Sequence, residues 1–280
     1  MSSRKLEDRL EELRRLRDAA DGDAAGSIDA ALRRALTDRS NLIVAEAAKL
    51  VGSLRRKTLV TELLLAYDRL FTDPVKTDPK CWGKTAIVKA LTSLDYSESP
   101  PFVRGAQHIQ MEPVWGGQED AAAHLRANAT LALVSCTDIT RVEILRFLVN
   151  ALADPSDTVR IEAIRALEQM NGDESSLLLR LKAHSGDRRP HVLGQVFDSL
   201  LQLERERAVP FTSSFLKAGD DEVRDEAALA LAASRLPDAV RVLIEIWKGG
   251  SRGEFASVLL RSLSSSRDET ALGFLLGLVR

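Results

Sequence analysis

Apolar residues recur at helical spacing within a longer period of about 32 residues. The clearest unit is DPSDTVRIEAIRAL, residues 154–167, in which Val159, Ala163, Ile164 and Leu167 share one helical face. DDEVRDEAALAL, residues 220–231, repeats it: setting Val159 on Val223 matches Arg160 with Arg224, Glu162 with Glu226 and Ala163 with Ala227. Five weaker copies place Ile43, Gly83, Leu125, Val192 and Phe255 at the same anchor position. From Leu125 onward the anchors lie 34, 33, 31 and 32 residues apart, and before it 40 and 42. A second amphipathic stretch precedes each turn, such as Ile144, Leu145, Leu148, Val149 and Leu152, so each unit predicts a pair of helices.

Turn chemistry follows the same register. Asp stands five residues before the anchor in five of the seven copies, as Asp38, Asp78, Asp120, Asp154 and Asp187. A basic residue follows the anchor in four, as Lys84, Arg126, Arg160 and Arg224. An Asp in this place can cap the N–H groups of the next helix, and Pro155 suits a first turn. Because both charges recur with the period, pairs such as Asp154 with Arg160 and Asp120 with Arg126 are expected to join neighbouring repeats; an active site would occur once.

The tetratricopeptide and ankyrin signatures are absent. The pattern D-x-x-V-R-x-E-A-h-x-A-L resembles HEAT repeats of the short bacterial, phycobilisome-lyase-like kind, over residues 27–280. The resemblance implies an all-α, right-handed solenoid of about seven helix pairs, with the second helices lining a concave face. It is specific for fold and nearly silent on activity. Residues 1–26 read as an N-terminal cap helix and linker: SRKLEDRLEELRRLRDAA carries Leu6, Leu10, Leu13 and Leu16 on one stripe, and DGDAAGS ends it. RDETALGFLLGLVR supplies a final helix packed on the last pair.

One segment breaks the period. Residues 95–120, DYSESPPFVRGAQHIQMEPVWGGQED, fall where the first helix of the third pair is due. Pro100, Pro101, Gly105, Pro113, Gly116 and Gly117 predict an irregular loop there, with a short extended piece where Ile109 and Met111 alternate with His108, Gln110 and Glu112. Phe102, Val103, Ile109, Met111, Val114 and Trp115 are expected to anchor it. Insertions in repeat arrays map to loops on one face, often the binding face. Arg104, His108, Gln110, Glu112 and Trp115 are therefore the candidate binding residues; the competing reading is a plug with Trp115 as buried filler.

Charge and chemistry narrow the function. Lys plus Arg is 39 and Asp plus Glu is 41, a net charge of −2, without the basic excess of a nucleic-acid binder. At one position of the second helices stand Lys49, Lys89, Arg165 and Arg261 but also Asp198, with Glu46, Glu162 and Glu226 beside them, which reads as a mixed-charge face. His108, Glu112, Asp120 and His124 are the best acid–base or metal constellation, but their spacing offers no ligand set, and neither a metal nor another cofactor is expected. Cys136 reads as a small buried hydrophobe, and Cys81, beside Trp82, as a thiol that only exposure would make reactive. No apolar run reaches a membrane span. The expectation is a cytoplasmic, monomeric, non-enzymatic scaffold that holds a protein partner by its concave face and the 95–120 loop, with no membrane or nucleic-acid partner. The alternative, implied by the resemblance, is a small-molecule or tetrapyrrole-handling enzyme like the phycobilin lyases, with the loop forming its pocket; third is a HEAT-like nucleobase-repair enzyme.

Overall fold

The computed structural model describes residues 3–18, 25–217, 220–250 and 253–279, without the side chains of 3–5, 16–18 and 25. The chain is all-α and divides into two compact units, 1–147 and 148–280. The first contains α1 (Ser3–Asp18), α2 (Ala25–Leu36), α3 (Asn41–Ser53), α4 (Val60–Leu70), the single turn α5 (Pro74–Thr77), α6 (Trp82–Ser93), α7 (Pro100–Ala106), a hairpin of β1 (Met111–Val114) and β2 (Gly117–Asp120), and α8 (Ala123–Ala132). The division falls inside α9 (Arg141–Leu152). The second unit continues with α10 (Asp157–Met170), α11 (Asp173–Ser185), α12 (Pro190–Glu204), α13 (Val209–Ser214), α14 (Asp221–Ala233), α15 (Pro237–Lys248), α16 (Gly253–Ser265) and α17 (Glu269–Val279).

Each unit is a short solenoid. In the first, α3, α6 and α8 stack side by side, with α2, α4 and α7 packed on them as partner helices. In the second, α10, α12, α14 and α16 form the stack, and α11, α13 and α15 cover α12, α14 and α16. The seven anchors fall on these seven second helices, and all seven are buried. Gly83 is the one anchor without a side chain, and the packing gives the reason: a Cβ there would lie 2.6 Å from Leu70 Cδ1 and 3.1 Å from Asp78 Oδ1. Leu70 of α4 fills the space that Ile43 or Val159 fills elsewhere.

Helices α1 and α17 each pack against one of the two stacks. Helix α1 packs on α3 through buried Leu13 and half-buried Leu6 and Leu10, and Arg9 pairs with Asp38. The Leu16 side chain and residues 19–24 lie outside the described residues, while Ala25, Gly26 and Ser27, expected to end the linker, instead open α2. Helix α17 rests on α15 and α16, with buried Ala271 and an edge contact between Phe274 and Trp247 at 5.3 Å.

Of the five repeated aspartates only Asp78 caps as expected, accepting the N–H groups of Gly83 and Lys84 in the first turn of α6. Asp38, Asp120, Asp154 and Asp187 each accept the N–H two residues on, from Ser40, Ala122, Ser156 and Arg189, and so fix the turn before the helix. Asp220 is a true N-cap, accepting from Glu222 N and Val223 N. Contacts between repeats also differ from the expected pairs. Arg126 meets Asp120 at 2.5 Å within its own repeat. Arg160 meets its own turn through the carbonyls of Asp154 and Pro155, and its Nε and Nη2 both donate, at 2.8 Å, to Asp187 of the next repeat. In the first unit Asn41 plays this part, donating at 2.9 Å to Asp78 Oδ1 and to the Pro79 carbonyl.

The 95–120 segment is more regular than its composition predicts. It opens with a helix, α7, and ends in the only two strands among the described residues. Pro100 and Pro101 occupy the first turn of α7, where a missing N–H costs no intrahelical bond. Ser99, just before it, is held through its N–H and hydroxyl by the Asp138 carboxylate, each at 2.9 Å. Gly105 lets α7 approach its neighbours: a Cβ would sit 2.7 Å from Tyr67 Oη and 2.9 Å from Ala129 Cβ.

Candidate functional site

The hairpin is built with its polar side inward. Its strands pair antiparallel, from Met111 opposite Asp120 to Val114 opposite Gly117. Trp115 and Gly116 make the two-residue turn, where the φ of +88° at Gly116 suits glycine. Gln110, at the root, is 2% exposed, whereas Ile109 is 66%, Met111 44% and Trp115 fully exposed. Of the six expected apolar anchors only Phe102, on α7, is fully buried. Trp115 is therefore neither filler nor an anchored turn; it stands at the tip.

Gln110 is buried because its partners are polar groups of a strained turn. Lys80 and Cys81, between α5 and α6, take φ values of 60° and 53°, a region costly for residues with a Cβ. Gln110 Nε2 donates to the Asp78 carbonyl at 2.9 Å and to Glu112 Oε1 at 2.6 Å, while its Oε1 accepts from Cys81 Sγ at 3.1 Å. Glu112 Oε1 also accepts from Lys80 N at 2.6 Å. Inside this turn Asp78 accepts the N–H groups of Gly83 and Lys84 and pairs with Lys84 Nζ at 3.1 Å, both side chains fully buried. Burial pushes the Cys81 thiol up to about 12, so it stays protonated and unreactive. Burial likewise pushes Cys136 up to about 11.

The other two candidates bind the hairpin root to the first helices. The Arg104 guanidinium lies 3.8 Å over the Phe71 ring and meets Asp68 at 2.6 Å. The half-buried His108 ring stands edge-on to Phe71 at 4.8 Å, with Nε2 3.1 Å from Gln110 Oε1; burial holds its pKa below the usual histidine range. Gln110, Glu112 and His108 thus form one network, Arg104 joins His108 through Phe71, and Trp115 stands apart at the tip.

The turn clamped by Gln110 and Glu112 borders a groove of about 550 Å³ in the first unit. Leu42, Ala45, Glu46 and Lys49 of α3, Trp82, Thr85, Ala86 and Lys89 of α6, and His124 of α8 line it, with Leu10 and Arg14 of α1 at one side and Lys80 from the turn. Trp82 is 47% exposed, and Lys80 Nζ lies 5.3 Å from its ring centroid. The groove holds four cations against one carboxylate, Glu46, which meets Lys49 at 3.3 Å. By sequence alone Lys49 and Lys89 stand on a mixed-charge face, and Trp82 is only the neighbour of Cys81. The signal that finds the site is the addition of Arg14 and Lys80, which lie outside the repeat pattern. In the second unit the corresponding positions carry both signs: Arg165 meets Glu162 at 2.7 Å, while burial, then the nearby Glu226 and Glu168 carboxylates, push Asp198 up to about 6.

The phycobilin-lyase resemblance implies a pocket formed by the loop; this groove is lined by the second helices and α1 instead, and His108, Glu112 and Trp115 are not among its walls. Among the described residues no three His, Cys, Asp or Glu side chains are placed to hold a metal ion, and no helix is long and apolar enough to cross a membrane.

No family model and no curated protein matches the chain. Among solved structures, human deoxyhypusine hydroxylase in complex with glycerol aligns at a TM-score of 0.33 and 20% identity, over 97% of this chain and 91% of its own. An engineered protein aligns at 0.31 and 17%, over 84% of this chain and 95% of its own. Likenesses this weak bear on neither fold nor function; the all-α assignment rests on the helices themselves.

Proposed function

We propose that this protein is a non-enzymatic scaffold that holds a protein partner by the β1–β2 hairpin and the adjoining second-helix face of the first unit. The observation that carries the reading is the hairpin's inverted packing. Ile109, Met111, Val114 and Trp115 stand in solvent while polar Gln110 is buried. Leaving such side chains exposed forgoes roughly 1.5–3 kcal/mol each of burial energy, which a covering partner recovers. Trp is the residue type most enriched among interface hot spots. The two-residue turn and the clamp on Gln110 and Glu112 hold the finger in one conformation, so little ordering entropy is lost on binding.

The test is quantitative affinity capture from the native cell, comparing the wild type with a Trp115→Ala, Ile109→Ser variant of unchanged melting temperature. A protein retained by the first and lost by the second supports the scaffold role. Identical captured sets from the two overturn it.

A further inference from the structure

We infer that the groove between α1, α3, α6 and α8 binds an extended acidic peptide segment carrying an apolar side chain. This deepens the proposed scaffold role and rests on it only in taking the occupant to be part of a protein.

Three observations point to that chemistry. The charge is one-sided: Arg14, Lys49, Lys80 and Lys89 stand around the groove with Glu46 as the one carboxylate. This contrasts with the chain's net charge of −2, so the excess is local. Carboxylates are drawn to such a rim by complementarity of potential. The walls between the cations are apolar: Leu10, Leu42, Ala45 and Ala86, with the half-exposed Trp82 ring at the side. A ligand that is only an anion leaves these groups unused, whereas an aliphatic or aromatic side chain between carboxylates covers them. The third observation is length. The groove crosses three adjacent helices, α3, α6 and α8. Two interhelix spacings of roughly 8–10 Å each give about 16–20 Å, the span of about five to six extended residues at ~3.3 Å per residue.

A nucleic-acid strand fits less well. Non-specific single-strand binding needs a row of aromatic faces for successive bases, and this groove offers two rings, Trp82 and His124. Glu46 stands within the wall, where it repels a phosphate chain but can accept a peptide N–H.

The experiment uses the whole protein and a fluorescein-labelled heptapeptide of Glu and Asp around a central Leu. Its controls are the same peptide with Gln and Asn in place of the acids, the acidic peptide with Gly for Leu, and an oligothymidylate of equal charge. Fluorescence anisotropy should show the acidic Leu peptide binding, the amide and Gly versions binding about tenfold or more weaker, and affinity falling as salt is raised. Lys49→Glu with Lys89→Glu, and separately Trp82→Ala, should each weaken binding about tenfold or more. All three side chains are exposed, and melting curves confirm that the variants are folded. Trp115→Ala should bind the peptide as the wild type does, so failure of the hairpin reading and failure of this one give different patterns. The inference is overturned if no peptide binds, if the amide peptide binds equally, if the groove variants bind unchanged, or if the oligothymidylate binds more tightly.

Discussion

The main-chain N–H of Lys80 donates to Glu112 Oε1 at 2.6 Å, across 32 residues of sequence. That bond, with those of Gln110, ties the hairpin root to the turn that presents Lys80 and Trp82 to the groove. One polar network therefore holds both candidate contact surfaces of the first unit.

Removing the clamp should therefore cost stability. Gln110→Ala leaves the buried Cys81 thiol without its acceptor, the Asp78 carbonyl with the Cys81 N–H alone, and Glu112 without the Gln110 amide. A loss of about 2–3 kcal/mol is expected by urea unfolding. Glu112→Ala, nearer the surface, should cost about 1 kcal/mol.

Trp115→Ala should leave the urea midpoint within about 0.5 kcal/mol of the wild type, because the side chain is fully exposed. Phe102→Ala, in the same segment but fully buried, should cost about 3–5 kcal/mol. A large loss from Trp115→Ala would restore the reading of the loop as a plug.

Gly105→Ala should destabilise by about 1–3 kcal/mol, since its methyl must displace Tyr67 Oη or the Ala129 side chain. Gly117→Ala, where a Cβ meets nothing within 4 Å, is the control and should be nearly neutral by the same unfolding assay.

Acid should unlock the repeat contact at Asp187. Burial alone would raise this carboxyl, but hydrogen bonds from Arg160, Lys182 and the Arg189 N–H outweigh it and hold it at about 2. A depressed carboxylate contributes stability above its unfolded pKa, and that contribution is lost as pH falls through the folded value. Stability should fall between about pH 4 and pH 2, by about 2 kcal/mol from this group. Asp187→Asn should be weaker at pH 7 and flatter across that window, as read from urea midpoints at each pH.

Neither thiol should react with a disulfide reagent in the folded protein at pH 8, because Cys81 and Cys136 are buried and held protonated. Both should react once urea unfolds the chain. Fast labelling of Cys81 in native buffer would show that the 78–82 turn opens.

The seven anchors, the helix pairs and the place of the irregular segment are legible in the sequence because they depend on local spacing. A residue at Val159 or Val223 is buried by whichever helix comes next, and period alone reports which face that is. Gly83 shows the limit: it keeps the register, but only the position of Leu70 explains why the anchor has no side chain. The 95–120 segment shows it more fully. Its alternation of Ile109 and Met111 with Gln110 and Glu112 was visible, and the usual rule turned the apolar side inward. The tertiary structure reverses that, because the surface beneath the hairpin is the polar backbone of the 78–82 turn, and buried polar groups require polar partners. The groove depends in the same way on distance in space. Lys49 and Lys89 lie within the repeats, but helix α1 and the turn bring Arg14 and Lys80 beside them, and a field made by summed charges exists only once the chain has folded.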